Sequence, residues 1–205
     1  PLLAARMRAV LPACVRHGVT VISNMGAANP EAAGAAVLAV ARELGLPRLR
    51  VAVVTGDDVL PWLRRNDAAL LDSAQRASDL GDRLVSANAY LGADALLPAL
   101  ASGANVVITG RVADPALFLA PLMHHFGWRA DDWPLLGQGV LVGHLLECAA
   151  QVSGGYIADP GQFDVPRLHD VGFPLAEVQA DGSAVITKLA GTGGCVNRLS
   201  CTAQL

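Results

Sequence analysis

Leu3, Met7, Val10, Leu11 and Cys14 recur at helical spacing, and Val19 to Ser23 follows as a short β-branched run of the kind a buried parallel strand shows. Asn29-Pro30-Glu31 supplies an N-cap, a proline at the first helical position and an early acid, which predicts a helix through Val37, Leu38 and Ala41 ending near Gly45. Val51 to Val54 reads as the next strand, Asp57 to Arg65 as a short helix, and Asn66 to Asp82 as a polar, weakly helical connector. Leu84 to Asn88 reads as a third strand, Ala93 to Leu100 as a helix and Asn105 to Thr109 as a fourth strand. Asp114-Pro115 repeats the cap-and-proline signal before a helix reaching His125, and Trp133 to Val152 reads as one more apolar helix.

This alternation predicts an α/β fold with a mostly parallel sheet and helices on both faces, because parallel neighbours need crossover connections. After residue 152 the texture changes. Gly154-Gly155, Asp159-Pro160-Gly161 and Phe173-Pro174 punctuate loops, and Leu175 to Val178 with Ala184 to Leu189 flank Asp181-Gly182 as a hairpin does, so a smaller β-rich segment is expected over 153–205. The opening at Pro1 and the unfinished pattern at Leu205 lead us to expect that the 1–152 and 153–205 parts are pieces of one larger domain truncated at both ends.

Composition narrows the function classes. The chain has 205 residues, 53% hydrophobic and only 16% charged, which excludes a disordered chain. With a net charge of -3, no basic block and 4% aromatics, neither a phosphate-tracking face nor a base-stacking platform is visible, so nucleic acid is not an expected partner. Cys14, Cys148, Cys195 and Cys201 form no CxxC, which fits a reduced cytoplasm. A bilayer span needs roughly 20 mostly apolar residues, and the longest stretch without Asp, Glu, Lys or Arg, Ala95 to Gly110, holds Pro98, Gly103 and Asn105. No membrane partner is expected, and a homo-oligomer stays open.

In open α/β sheets ligands bind outside the carboxyl ends of the strands. Four expected strand ends are polar: Ser23-Asn24-Met25-Gly26, Thr55-Gly56-Asp57-Asp58, Asn88-Ala89-Tyr90 and Thr109-Gly110-Arg111. Any one of them is explained by turn chemistry; together they read as a binding edge, with Arg111 placed to hold a carboxylate or phosphate bidentately. Asp57 and Asp58 serve equally as a base, a metal ligand or a helix cap. His144, Glu147 and Gln151 form one polar stripe on an otherwise apolar helix, a setting that suits general acid or base work by Glu147 and His144, and equally a solvent-facing edge. Gly191-Thr192-Gly193-Gly194, after the strand holding the single lysine Lys188, could cradle a phosphate, although the P-loop order is absent. No residue spacing suits a zinc site, no GxSxG elbow occurs, and no cofactor is identified.

The motifs Ser23-Asn24-Met25-Gly26-Ala27-Ala28-Asn29-Pro30, Ser86 to Ala93, Thr109 to Asp114, Gly143 to Cys148 and Gly191 to Gly194 together resemble those of the acyclic terpene utilisation protein A-like family over essentially the whole chain. The resemblance implies a cytoplasmic protein of acyclic terpene or branched acyl-CoA catabolism, whose members begin with a further strand and continue beyond Leu205; it assigns no catalytic residue. Two hypotheses follow. One is an enzyme acting on an acyl-CoA or small carboxylate, the strand ends holding the anion and Glu147 or His144 handling protons. The other is a non-catalytic scaffold or partner subunit of the same pathway.

Overall fold

The computed structural model describes residues 2–27 and 29–205; Ala28, within the first of the motifs, and Pro1 lie outside the described residues. The chain divides into two compact units, Pro1–Ala113 and Asp114–Leu205, each with its own helices and strands.

The first unit begins with α1 (Leu2–His17), β1 (Val21–Ser23), α2 (Pro30–Glu43) and β2 (Val51–Val54). The start of α2 follows from its sequence: the Asn29 side chain accepts from the Ala32 amide at 2.9 Å, and Pro30 occupies the first turn, where its missing N–H leaves no intrahelical bond unmade. The helix stops where Gly45 takes the left-handed conformation at φ 67°, and the Leu46 amide closes back on the Ala41 carbonyl at 2.9 Å. Next come α3 (Leu60–Asn66), α4 (Ala77–Leu80), α5 (Leu97–Ala101) and β3 (Val106–Thr109).

The three strands form a parallel sheet in the order β1-β3-β2, with Ile22 beside Val107 and Val53 beside Ile108. β3 is buried along its whole length, as its unbroken Val-Val-Ile-Thr run requires. Met7 and Leu11 of α1, with Val37 and Val40 of α2, join Leu49, Val106 and Ile108 in one apolar core. Their spacing of four and three puts each pair on one face of its helix.

Leu84 to Asn88 corrects the sequence reading. It is no strand of the sheet. Asn88 makes only an isolated antiparallel bridge with Asp58, the Val59 amide donates to the Ala87 carbonyl at 3.0 Å, and the Ala89 amide donates to the Asp57 carbonyl at 2.7 Å. The physical reason lies in its composition: a central parallel strand needs apolar residues on both faces, whereas here Ser86 and Asn88 alternate with a Val85 that is 79% exposed. Mixed helix and strand is therefore the fold class, with three parallel strands and a separate antiparallel pair.

The second unit contains α6 (Ala116–Phe126), α7 (Trp133–Leu146), the hairpin β4 (Pro174–Val178) and β5 (Ala184–Lys188), and α8 (Arg198–Gln204). The hairpin forms as expected around Asp181-Gly182: Gly182 is left-handed at φ 82°, and the Asp181 carboxylate accepts from the Ser183 amide at 3.0 Å. Two details depart from the sequence reading. Asp114 is not the side-chain cap of α6; the residue flanking that helix is Pro115, and the Asp114 carbonyl, not its carboxylate, accepts from the Leu117 amide at 3.3 Å. The helix expected to reach Val152 ends at Leu146, because Glu147 turns extended at ψ 171° and Cys148 and Ala149 are both left-handed, at φ 60° and 56°. Gln151 to Gly155 then forms a separate kinked turn, broken at Gly154 with φ 111°.

Asn29→Ala is expected to cost about 0.5–2 kcal/mol through the lost bond to the Ala32 amide, whereas Asp114→Ala should leave stability within about 0.5 kcal/mol. Urea unfolding of the two variants separates a real cap from an apparent one.

Candidate functional site

Because β1, β2 and β3 run parallel, the loops that follow them emerge on one edge of the first unit. Three of the four polar strand ends read from the sequence are therefore neighbours there, and Asn88-Ala89-Tyr90 joins them as a loop. Gly26 lies against the end of β3: a Cβ built on it would stand 2.3 Å from the Thr109 carbonyl oxygen and 2.8 Å from the Pro30 Cα. Only a glycine lets the chain turn from β1 into α2 at this distance. The Asn24 carbonyl accepts from the Ala27 amide at 3.1 Å to close the same turn.

The residue that organises this edge is Asp57. It is 3% exposed, and its Oδ2 accepts from the Asn88 side-chain amide and from the Arg111 backbone amide, each at 2.9 Å. Gly110 makes room for it, since a Cβ there would lie 2.3 Å from Asp57 Oδ1. One carboxylate thus ties the loop after β2 to the loop after β3 and to the Asn88 segment. With its backbone fixed in this way, Arg111 extends its side chain over Tyr90, the guanidinium carbon 4.8 Å from the ring centroid and Nη2 donating to the Tyr90 hydroxyl. Among the described residues no carboxylate pairs with that guanidinium. Thr109 turns away, buried, its hydroxyl donating to the Gly110 carbonyl at 3.0 Å. Thr55 and Gly56, with Asn29, Pro30, Asp58 and Asn88, border a cleft of about 250 Å³ beside the start of α2.

In the second unit Glu147 follows the end of α7. Its Oε1 lies 3.1 Å from His144 Nδ1, and His144 Nε2 lies 2.8 Å from the Gln204 carbonyl oxygen of α8. Both ring nitrogens therefore face acceptors, and Gln204 Nε2 returns a bond to the His144 carbonyl at 3.0 Å. Gln151 does not continue the polar stripe, since the helix carrying it has ended. Next to Glu147 stands Cys148, exposed and left-handed. Desolvation around its sulfur, then the carboxylate charge and hydrogen bond of Glu147, then the charge of Asp114, push the thiol above its ordinary range.

The glycine loop holds its shape with its own donors. The Gly193, Gly194 and Cys195 amides donate to the carbonyls of Asp170, Pro166 and Ser153 at 2.7, 2.6 and 2.8 Å, and the Thr192 amide to that of Leu189 at 3.4 Å. Lys188 Nζ donates to the Thr192 carbonyl at 2.9 Å, while Arg167 Nη1 reaches the Gly191 carbonyl at 2.8 Å. These bonds spend the groups that a phosphate cradle needs. No group of three His, Cys, Asp or Glu side chains among the described residues is arranged to hold a metal ion.

A family model described as acyclic terpene utilisation family protein AtuA matches residues 1–205, the whole chain. The chain belongs to the AtuA family. No curated protein and no solved structure matches it. Membership accounts for the ordered motifs, and for this AtuA chain the geometry adds two residues that the sequence left secondary or unnoticed. Asp57 reads equally as a cap until its two bonds are seen; its position just after a strand end, followed by a second acid, was the available signal. Cys148 gives no signal in the sequence, because nothing local predicts a left-handed cysteine at a helix end.

Asp57→Ala is expected to cost about 1–3 kcal/mol by leaving the Asn88 and Arg111 donors unpaired, read as a lower urea midpoint with an unchanged m-value. At pH 8, Cys148 should react with iodoacetamide more slowly than an unperturbed cysteine, because the thiolate is the nucleophile. Glu147→Gln should speed that reaction by removing one charge that opposes thiolate formation, as mass-spectrometric mapping of the alkylated peptides would record.

Proposed function

We propose that this chain acts in acyclic terpene catabolism by binding a small anionic intermediate, a branched carboxylate or its acyl-CoA, at the carboxyl ends of the parallel strands. The observation that carries the reading is the Arg111 guanidinium, stacked on Tyr90 and without a carboxylate partner among the described residues. A cation already oriented by an aromatic ring loses less freedom on meeting an anion than a mobile one does, and its planar fork matches a carboxylate. Asp57 serves this role indirectly, holding the Arg111 backbone while its own charge is turned to the Asn88 and Arg111 amides. Asn24, Gly26, Thr55, Gly56, Asn88, Thr109 and Gly110 shape the edge.

Glu147 and His144, held 3.1 Å apart, are the groups we assign to proton transfer in any turnover. The four cysteines are unpaired, which suits a reducing compartment such as the cytoplasm. No helix among the described residues is long and apolar enough to cross a membrane.

Calorimetric titration with an acyclic C10 terpenoid carboxylate and its coenzyme A thioester tests the assignment. Arg111→Ala should weaken binding by about 1.5–3 kcal/mol, the range for a hydrogen bond to a charged group, whereas Arg111→Lys should recover only part of it because the fork is lost. Unchanged affinity in Arg111→Ala would remove the anion role.

A further inference from the structure

The opposite edge of the same sheet carries the stronger positive charge. Three segments lead into the parallel strands: Val15 to Thr20 before β1, Leu44 to Arg50 before β2, and Ala101 to Asn105 before β3. They contain Arg16, His17, Arg48 and Arg50 and no acidic residue. Arg42 in the last turn of α2 adds to them. The two glutamates of residues 1–56 do not offset this charge. Glu43 is held by Arg8 at 2.8 Å, and Glu31 sits in the first turn of α2, about 20 Å away along a 14-residue helix at roughly 1.5 Å per residue.

The arginines here divide into two kinds. Arg50 is structural, donating to the carbonyls of Ser102 and Gly103 at 3.1 and 2.6 Å. Arg16, Arg42 and Arg48 make no ion pair and no hydrogen bond to a carbonyl among the described residues. They are not needed to close the helix ends either. At the end of α1 the Val19 amide takes the Cys14 carbonyl at 2.8 Å, and at the end of α2 the Leu44 and Leu46 amides take the carbonyls of Val40 and Ala41 at 3.0 and 2.9 Å.

Between these segments lies a cleft of about 370 Å³, walled by Val15, Leu46, Pro47 and Leu49, with Arg48 and Asn105 as its polar members. Asn105 Oδ1 accepts from the Arg50 amide at 2.9 Å, which leaves its Nδ2 as a donor in the cleft wall. A concave apolar floor beside an unpaired guanidinium and a free amide donor matches a ligand with an aliphatic body and an anionic end.

We infer that this amino-terminal edge is a second ligand site, for a small amphipathic carboxylate whose chain lies on Val15, Leu46 and Pro47 and whose carboxylate meets Arg48 and Asn105. The site shares no residue with the Arg111 edge and stands or falls independently of it. The test is titration of the whole chain with decanoate, followed by amide chemical shifts, with acetate and decanol as the head-only and tail-only probes.

The expected result is saturable decanoate binding, with shifts centred on residues 15–20, 44–50 and 101–105, and weaker binding of both other probes. Arg48→Ala should raise the decanoate dissociation constant about tenfold or more and Arg48→Glu further, while Arg111→Ala leaves it unchanged. The Arg48 side chain is exposed and makes no ion pair among the described residues, so both variants should keep the wild-type spectrum elsewhere. Absence of saturable binding, unaltered affinity in Arg48→Glu, or a loss that follows Arg111 in place of Arg48 would each overturn the assignment.

Discussion

β3 is shut off from water from Val106 through Thr109, and a strand so placed has to find backbone partners on both sides. Its partners, β1 and β2, are shorter or no longer than it and only partly buried, and both lie parallel to it. Burying each of its aliphatic side chains contributes about 1.5–3 kcal/mol, and the same burial fixes direction. Once three strands run one way, the chain has to return between them by helix or loop, so all entries gather on one edge and all exits on the other. Both edges of the sheet are consequences of that one buried strand.

What can be read in advance is whatever the chain decides locally. Asn29-Pro30-Glu31 specifies the start of α2 through a cap bond spanning three residues, and Asp181-Gly182 specifies the hairpin through a left-handed glycine and a carboxylate that accepts from the Ser183 amide and hydroxyl. Leu84 to Asn88 fails for the opposite reason. Its composition is that of a weak strand, and the bonds that hold it come from Asp57 to Val59, about thirty residues earlier in the chain, which no local pattern reports. The end of α7 is of the same kind: Glu147-Cys148-Ala149 holds neither glycine nor proline, so nothing in the sequence announces the two left-handed residues there. Asp114-Pro115 shows a subtler limit, where the motif is present but the helix begins one residue later than the cap needs.

The candidate site divides along the same line. Gly26, Gly110 and Arg111 are legible because strand ends followed by small residues are where an α/β sheet approaches a ligand. The tie that fixes Arg111 is not, since Asp57 and Arg111 are 54 residues apart and the first looks like an ordinary helix-start acid. The Gly191–Gly194 run shows that composition alone misleads: Gly193 and Gly194, which could have turned their amides to a phosphate, use them on the carbonyls of residues 170 and 166.

Charge distinguishes the two edges of the sheet more sharply than fold analogy does. At the carboxyl edge Asp57, Asp58 and Glu31 border the cleft beside the start of α2, so an anion meeting Arg111 depends on Asp57 staying engaged with its two donors and on the guanidinium standing clear over Tyr90. At the amino edge the entry segments carry no acid at all, and the guanidinium of Arg48 adjoins an apolar wall. Coulomb attraction between exposed charges is screened beyond about 8 Å at physiological salt, so what counts is the set of charges within one loop's reach of the ligand, and there the acid nearest the amino edge, Glu43, is already paired with Arg8. Strand polarity sets where loops converge; the residues in those loops decide what they hold, and in this chain the entry loops of the edge that parallel-sheet topology does not ordinarily favour are the ones that contain no acid.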